Sequence, residues 1–219
     1  MLRNSPVRRF AVTTAAVAVL ATPLTACDSK DQADKKTSAA PAPQTLCGIK
    51  LPEDAERALL DLLGAQKLDT SGSRSSVRDT AEALSAGRAS GDNDYELCRA
   101  FGPSSETRSI TFTFSTTDEV PKQPASQFTQ YKMGAMALSR PRSALLFMKC
   151  SSDRFASGFD DPVVIRGELY NMMPTGKSND TLTQENLNVL HAVSVGLARN
   201  LGCANNAHLS SEFSMPPKV

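Results

Sequence analysis

The sequence predicts an α+β domain: a twisted, mainly antiparallel sheet of about five strands, with N-terminal helices and a C-terminal helix packed on it, held by two disulfides. Three observations carry this expectation. Apolar residues repeat at helical spacing near both ends of the domain, over residues 52–87 and 181–202. Between them, period-2 alternation recurs in segments joined by short polar connections, which suits antiparallel neighbours better than crossovers. Four cysteines, Cys47, Cys98, Cys150 and Cys203, are spread across the same region.

Each element has a local reason. Pro52-Glu53-Asp54 opens the first helix, because proline suits the first turn and acids favour a helix N-terminus. Ala55, Leu59 and Leu62 share a face, and Gly64 is the expected stop. Ser71 to Ser76 reads as a loop; Val77, Ala81 and Leu84 then repeat at helical spacing up to Gly87. Ser90-Gly91-Asp92-Asn93 is a turn cluster before a first strand at Tyr95 to Phe101. Ile110, Phe112 and Phe114 alternate with Ser109, Thr111 and Thr113 as a second strand. Phe128 to Leu138 is expected as one less regular strand, ended by Pro141. Ala144 to Cys150 is apolar except for Lys149, as in a central strand, and Val163 to Tyr170 makes the fifth. Thr181 and Gln184 have capping-box spacing ahead of Leu187, Leu190, Val193, Leu197 and Leu201, with Gly202 as the stop.

The N-terminus reads as a targeting segment. Arg3, Arg8 and Arg9 precede an uncharged run from Phe10 to Pro23, too short to span a bilayer. That run ends in Leu24-Thr25-Ala26-Cys27, which resembles a bacterial lipobox. The resemblance implies that the Cys27 thiol receives a diacylglycerol, that cleavage falls before Cys27, and that the chain is held at the outer side of the cell membrane. The Arg8-Arg9 pair lacks a preceding polar residue and is followed directly by Phe10, which favours the general secretory route over twin-arginine export.

Residues 1–26 are then a signal peptide, 27–45 the lipidated cysteine and a flexible tether, 46–213 the α+β extracytoplasmic domain, and 214–219 a C-terminal tail. The tether, charged and then rich in Ala and Pro, has no apolar periodicity and spans on the order of 20–25 Å. As a whole the chain resembles small actinobacterial surface lipoproteins of unknown function, through the lipobox, the Ala/Pro/Lys tether and the Cys47-Gly48-Ile49 opening of a four-cysteine domain.

Removing the leader takes away three basic residues and no acid, which moves the net charge from +1 to −2. With no dense Lys/Arg cluster, nucleic acid is not an expected partner. The cysteine gaps of 51, 52 and 53 residues contain no C-x-x-C pair, so disulfides are expected rather than a metal site. The favoured pairs are Cys47–Cys98, tying the start of the domain to the first strand, and Cys150–Cys203, pinning the last helix to the sheet.

No residue set announces catalysis. Thr175-Gly176-Lys177-Ser178 is similar to the end of a phosphate-binding loop, but position 171 is Asn where that loop needs Gly. There is no G-x-S-x-G elbow and no S-x-x-K. His191 falls mid-helix and is expected to pack its ring, and His208 falls in the stretch that follows the last helix. Asp160-Asp161 and Asp92-Asn93-Asp94 read as turn acids rather than calcium ligands. Met133, Met136, Met148, Met172 and Met173, with Phe112, Phe114 and Phe147, serve either a filled core or an apolar cavity. Met172 and Met173 share a loop where one is expected to face a partner.

The expectation is therefore a non-enzymatic binding or accessory module, anchored by Cys27, without cofactor or metal, whose partner is an envelope protein or a small ligand. Two alternatives stand beside it: a carrier of a lipid or apolar molecule in a sheet–helix cavity, and an envelope hydrolase with polar residues clustered around His191.

Overall fold

The computed structural model describes residues 45–91, 93–102, 108–123 and 125–219. Cys27, the leader, tether residues 28–44 and Asp92 lie outside the described residues, whereas Thr45, expected in the tether, begins β1. The described elements begin with a small hairpin, β1 (Thr45–Leu46) and β2 (Ile49–Lys50), followed by α1 (Glu53–Leu63) and α2 (Val77–Ser85). Next come β3 (Tyr95–Phe101), β4 (Ser109–Thr117), β5 (Thr129–Tyr131), β6 (Met136–Arg140), β7 (Ser143–Cys150) and β8 (Val163–Asn171), and then the long α3 (Asn179–Leu201). The larger sheet has six strands in the order β3-β4-β8-β7-β6-β5, every pair antiparallel.

The α+β class and the antiparallel sheet agree with the sequence; the strand count does not. The stretch 128–138 is two strands, because the chain reverses between Tyr131 and Met136. Gly134 sits in that turn at φ +59°, and a Cβ there would lie 2.7 Å from the Phe147 carbonyl oxygen. Backbone of this shape beside a neighbouring strand admits only glycine readily.

Alternation then sorts the sheet's two faces. Ile110, Phe112, Phe114, Ala144, Leu146, Met148, Ile165 and Leu169 are fully buried and lie on the same face by register. Against them pack Leu187, Leu190, Val193, Leu197 and Leu201 of α3. The cap of α3 lies three residues before Thr181: Ser178 is the N-cap and accepts from the Thr181 N–H at 3.3 Å. Ser178 satisfies an otherwise unpaired first-turn donor, which is why it, not Thr181, starts the helix. At the other end Gly202, at φ +68°, turns the chain out of the helix, and the Cys203 N–H closes back on the Ala198 carbonyl at 2.9 Å. The same capping geometry ends α1 at Gly64.

On the other face of the sheet, Met136, Leu138, Phe147 and Val164 form a second apolar cluster beneath Val120 and Phe128. The Arg140 guanidinium stacks 4.8 Å from the Phe128 ring centroid. The rest of this face is polar. Arg166 pairs with Asp94, and burial raises the Glu168 carboxyl above its ordinary value against the opposing pull of Arg166.

Disulfides join Cys47 to Cys98 and Cys150 to Cys203. The first ties the β1–β2 turn to β3; the second ties the end of β7 to the residue just past α3. Two such cross-links suit an oxidising, extracytoplasmic setting.

Both edges of the sheet are covered by the chain itself. On β3 the Ser73 hydroxyl accepts from the Arg99 N–H at 2.9 Å and donates to the Arg99 carbonyl at 2.8 Å, and the Phe101 N–H reaches the Asp69 carbonyl. On β5 the Lys132 N–H donates to the Pro217 carbonyl, the Val219 N–H donates to the Gln130 carbonyl, and Tyr131 faces Lys218 in a β-bridge. Of residues 214–219, expected as a tail, positions 217–219 therefore lie along the β5 edge through an isolated bridge and two backbone bonds. Covering an edge in this way removes a template for unwanted pairing.

Candidate functional site

The β5 edge, His191 of α3 and the last segment of the chain line a half-open cavity of about 590 Å³. The β5–β6 turn from Tyr131 to Ala135 and His191 of α3 line it. The remaining wall runs from His208 to Val219. The lining is mixed: Met133, Phe213, Met215, Pro216 and Pro217 offer apolar surface, while Lys132, His208, Ser210 and Glu212 offer polar groups. The volume lies in the range of sites for small organic ligands.

His191 positions that wall. It is 3% exposed, set in the buried stripe of α3. Its ring centroid lies 5.7 Å from that of Phe213 at a tilt of 57°. Burial pushes its pKa below the ordinary imidazole value, with the Ser210 carbonyl and the Asp54 charge opposing. The ring is thus neutral near pH 7 and engaged in holding the segment. Tyr131, 2% exposed, has its pKa raised by burial and remains a neutral phenol.

The wall approaches along an unusual path. Asn205, Asn206, Ala207 and His208 all have positive φ, between 49° and 61°. Asparagine tolerates this left-handed conformation; alanine and histidine carry a cost of about 1–2 kcal/mol each there. Leu209 (5% exposed) and Ala207 (1%) anchor the turn by burial.

Other sequence candidates have structural occupations. Lys177 bridges α1 and α3, with Nζ 3.1 Å from Asp61 and 2.5 Å from Glu185. With Ser178 as the helix cap, this accounts for the residues similar to a phosphate loop. Asp94 pairs with Arg166, and all four domain cysteines are oxidised. Among the described residues no group of three or more His, Cys, Asp or Glu is placed to hold a metal ion, and no helix is long and apolar enough to cross a membrane.

The methionines and phenylalanines divide among several places. Phe112, Phe114 and Met148 fill the core, Met136 and Phe147 lie under the outer loop, and Met133 lines the cavity. Met172 and Met173 are 44% and 47% exposed, so both, not one, face outward. They adjoin Tyr170, over whose ring the Arg142 guanidinium lies at 5.9 Å from the centroid, and Arg142 also donates to the Met172 carbonyl.

His191 packs as its mid-helix position implies, whereas the cavity joins stretches around positions 131, 191 and 213 that are distant in the sequence. The available signal is weak: Phe213, Met215 and the Pro216-Pro217 pair in an otherwise polar terminal stretch.

Comparison of the chain with protein-family models, with curated proteins and with solved structures found no match.

Proposed function

We propose that this chain is an extracytoplasmic binding module, tethered to the membrane by a lipid on Cys27, that takes a small amphipathic ligand in the cavity at the β5 edge. The cavity carries this reading: it is about 590 Å³, lined by Met133, Phe213 and Met215 for an apolar body, with Lys132 and His208 beside them for an acidic or hydrogen-bond-accepting end. The frame around it is rigid on two sides, since the Cys150–Cys203 bridge fixes the chain just before the wall and the Lys132 and Val219 N–H bonds fix it beyond. Preformed walls lower the ordering cost of binding.

The reading is tested by titrating the purified full-length chain with 8-anilinonaphthalene-1-sulfonate, an anionic aromatic probe. The expected result is one saturable site, weakened about tenfold or more by Met133→Glu, which puts a charge on an apolar wall and against the probe's sulfonate. Binding that is unsaturable, or unchanged in that variant, contradicts it.

The exposed Met172 and Met173 pair beside Tyr170 favours a second reading, in which the module docks an envelope protein through that end of the sheet. Photocrosslinking from position 173 in intact cells tests it. A discrete adduct supports protein docking; labelling no different from that at an exposed control position such as Lys122 counts against it.

A further inference from the structure

The segment that walls the cavity is attached to the rest of the domain in a way that separates its seat from its connection. The last fixed point of the frame is Cys203, held by the bridge to Cys150, and Ala204, whose N–H donates to the Ser151 carbonyl at 2.9 Å. Four successive positive-φ residues follow, Asn205 to His208. The chain then docks through Leu209, through Phe213 against His191, and through the bonds that pair positions 217–219 with β5. None of the docking contacts depends on which copy of the chain supplies the segment. The connection does: only the left-handed turn folds the segment back onto its own β5.

We propose that residues 209–219 exchange between two copies of this chain, each copy's segment seating on the other's β5 and completing the other's cavity. Opening Asn205–His208 to extended backbone carries the segment away over roughly 13 Å and removes the positive φ angles at the cost of Ala207's burial, while the seat contacts of residues 209–219 are remade in the partner. Short, strained hinges favour such exchange. The β5 edge supplies the specificity, since an added strand must offer the acceptor and donor found at Pro217 and Val219. The site described above becomes composite, with His191, Lys132 and Met133 from one copy and Phe213 and Met215 from the other. The inference does not rest on ligand binding, because an exchanged dimer can form whether or not the cavity is filled.

The test uses full-length chains carrying different tags, co-expressed and exported, one bearing Gln130→Cys and the other Val219→Cys. These positions face each other across the bond from the Val219 N–H to the Gln130 carbonyl. Exchange predicts a disulfide-linked heterodimer on a non-reducing gel, absent when either variant is expressed alone. Adding Asn206→Pro, whose ring forbids positive φ, should raise the linked fraction. Adding Ala207→Gly with His208→Gly, which removes the hinge cost, should weaken dimerisation of the chain without added thiols about tenfold or more. A chain that stays monomeric even with Asn206→Pro overturns the proposal. So does a dimer in which the two introduced thiols, at positions 130 and 219, do not join.

Discussion

Removing the Cys150–Cys203 bridge isolates the contribution of one cross-link to this frame. The perturbation is the double variant Cys150→Ala with Cys203→Ala, which leaves Cys47–Cys98 intact and neither thiol of the broken pair free to mispair. The bridge closes a loop of 53 residues. In the chain-entropy treatment the unfolded state then loses about 14 cal/mol/K, or about 4 kcal/mol at 25 °C. Both cysteines are buried, at 0% for Cys150 and 7% for Cys203, so the alanines also leave a small void of order 1 kcal/mol. Against a domain stability of roughly 5–15 kcal/mol, a loss of about 4–5 kcal/mol is large. Urea unfolding followed by far-UV circular dichroism reads it as a lower midpoint, with a steeper slope because the unfolded chain is more expanded. The Cys47–Cys98 bridge closes a loop of 51 residues, so its removal should cost nearly the same. A loss below about 1 kcal/mol for either pair would refute the argument that these bridges act mainly on the unfolded state.

Three further outcomes follow from single contacts. His191 has a lowered folded pKa, so the unfolded chain takes up its proton first as pH falls. Its contribution is fully present above the ordinary value of about 6.5 and is lost as pH falls from there toward the folded pKa, with a slope of up to about 1.4 kcal/mol per pH unit; urea midpoints from pH 8 to 5 should show this slope, and His191→Gln should flatten it. Gly196→Ala places a Cβ 2.6 Å from Ile49 Cγ2, so overpacking of about 1–3 kcal/mol should exceed the gain in helix propensity of about 1 kcal/mol, and thermal melting should show a net loss. Ser73→Ala removes both hydrogen bonds to Arg99 on the sheet edge and should cost about 1–2 kcal/mol, with faster aggregation by light scattering as β3 becomes free to pair.

Where one local force acts alone, the sequence and the structure agree. Ile110, Phe112 and Phe114 alternate because one face of β4 is buried, and Gly64 and Gly202 stop helices because only glycine takes the left-handed cap cheaply. The disagreements arise where forces compete. The turn at Gly134 is masked by apolar residues on both sides, since Met133 lines the cavity and Met136 packs under the outer loop. In β3 a register shift between Glu96 and Cys98 buries Leu97 and Cys98 together, which simple alternation cannot express. Ser178 and Thr181 are equivalent caps by residue type; the first-turn residues Asn179 and Asp180 give no apolar signal to separate them. The cavity is the least legible feature because its walls are brought together only by the tertiary fold. Asn205-Asn206 hints at the left-handed turn, but nothing about Ala207 or His208 does.

The most direct test of the central claim is native mass spectrometry of the chain expressed at full length and released, after processing, from a bacterial envelope, run beside Met133→Glu. The account predicts a protein mass carrying diacylglycerol on Cys27 and four hydrogens fewer than the reduced chain. It also predicts a one-to-one small-molecule adduct that dissociates on activation and is missing from the variant. A wild-type chain that never carries an adduct, or one that carries it equally in Met133→Glu, would contradict a ligand site at the β5 edge.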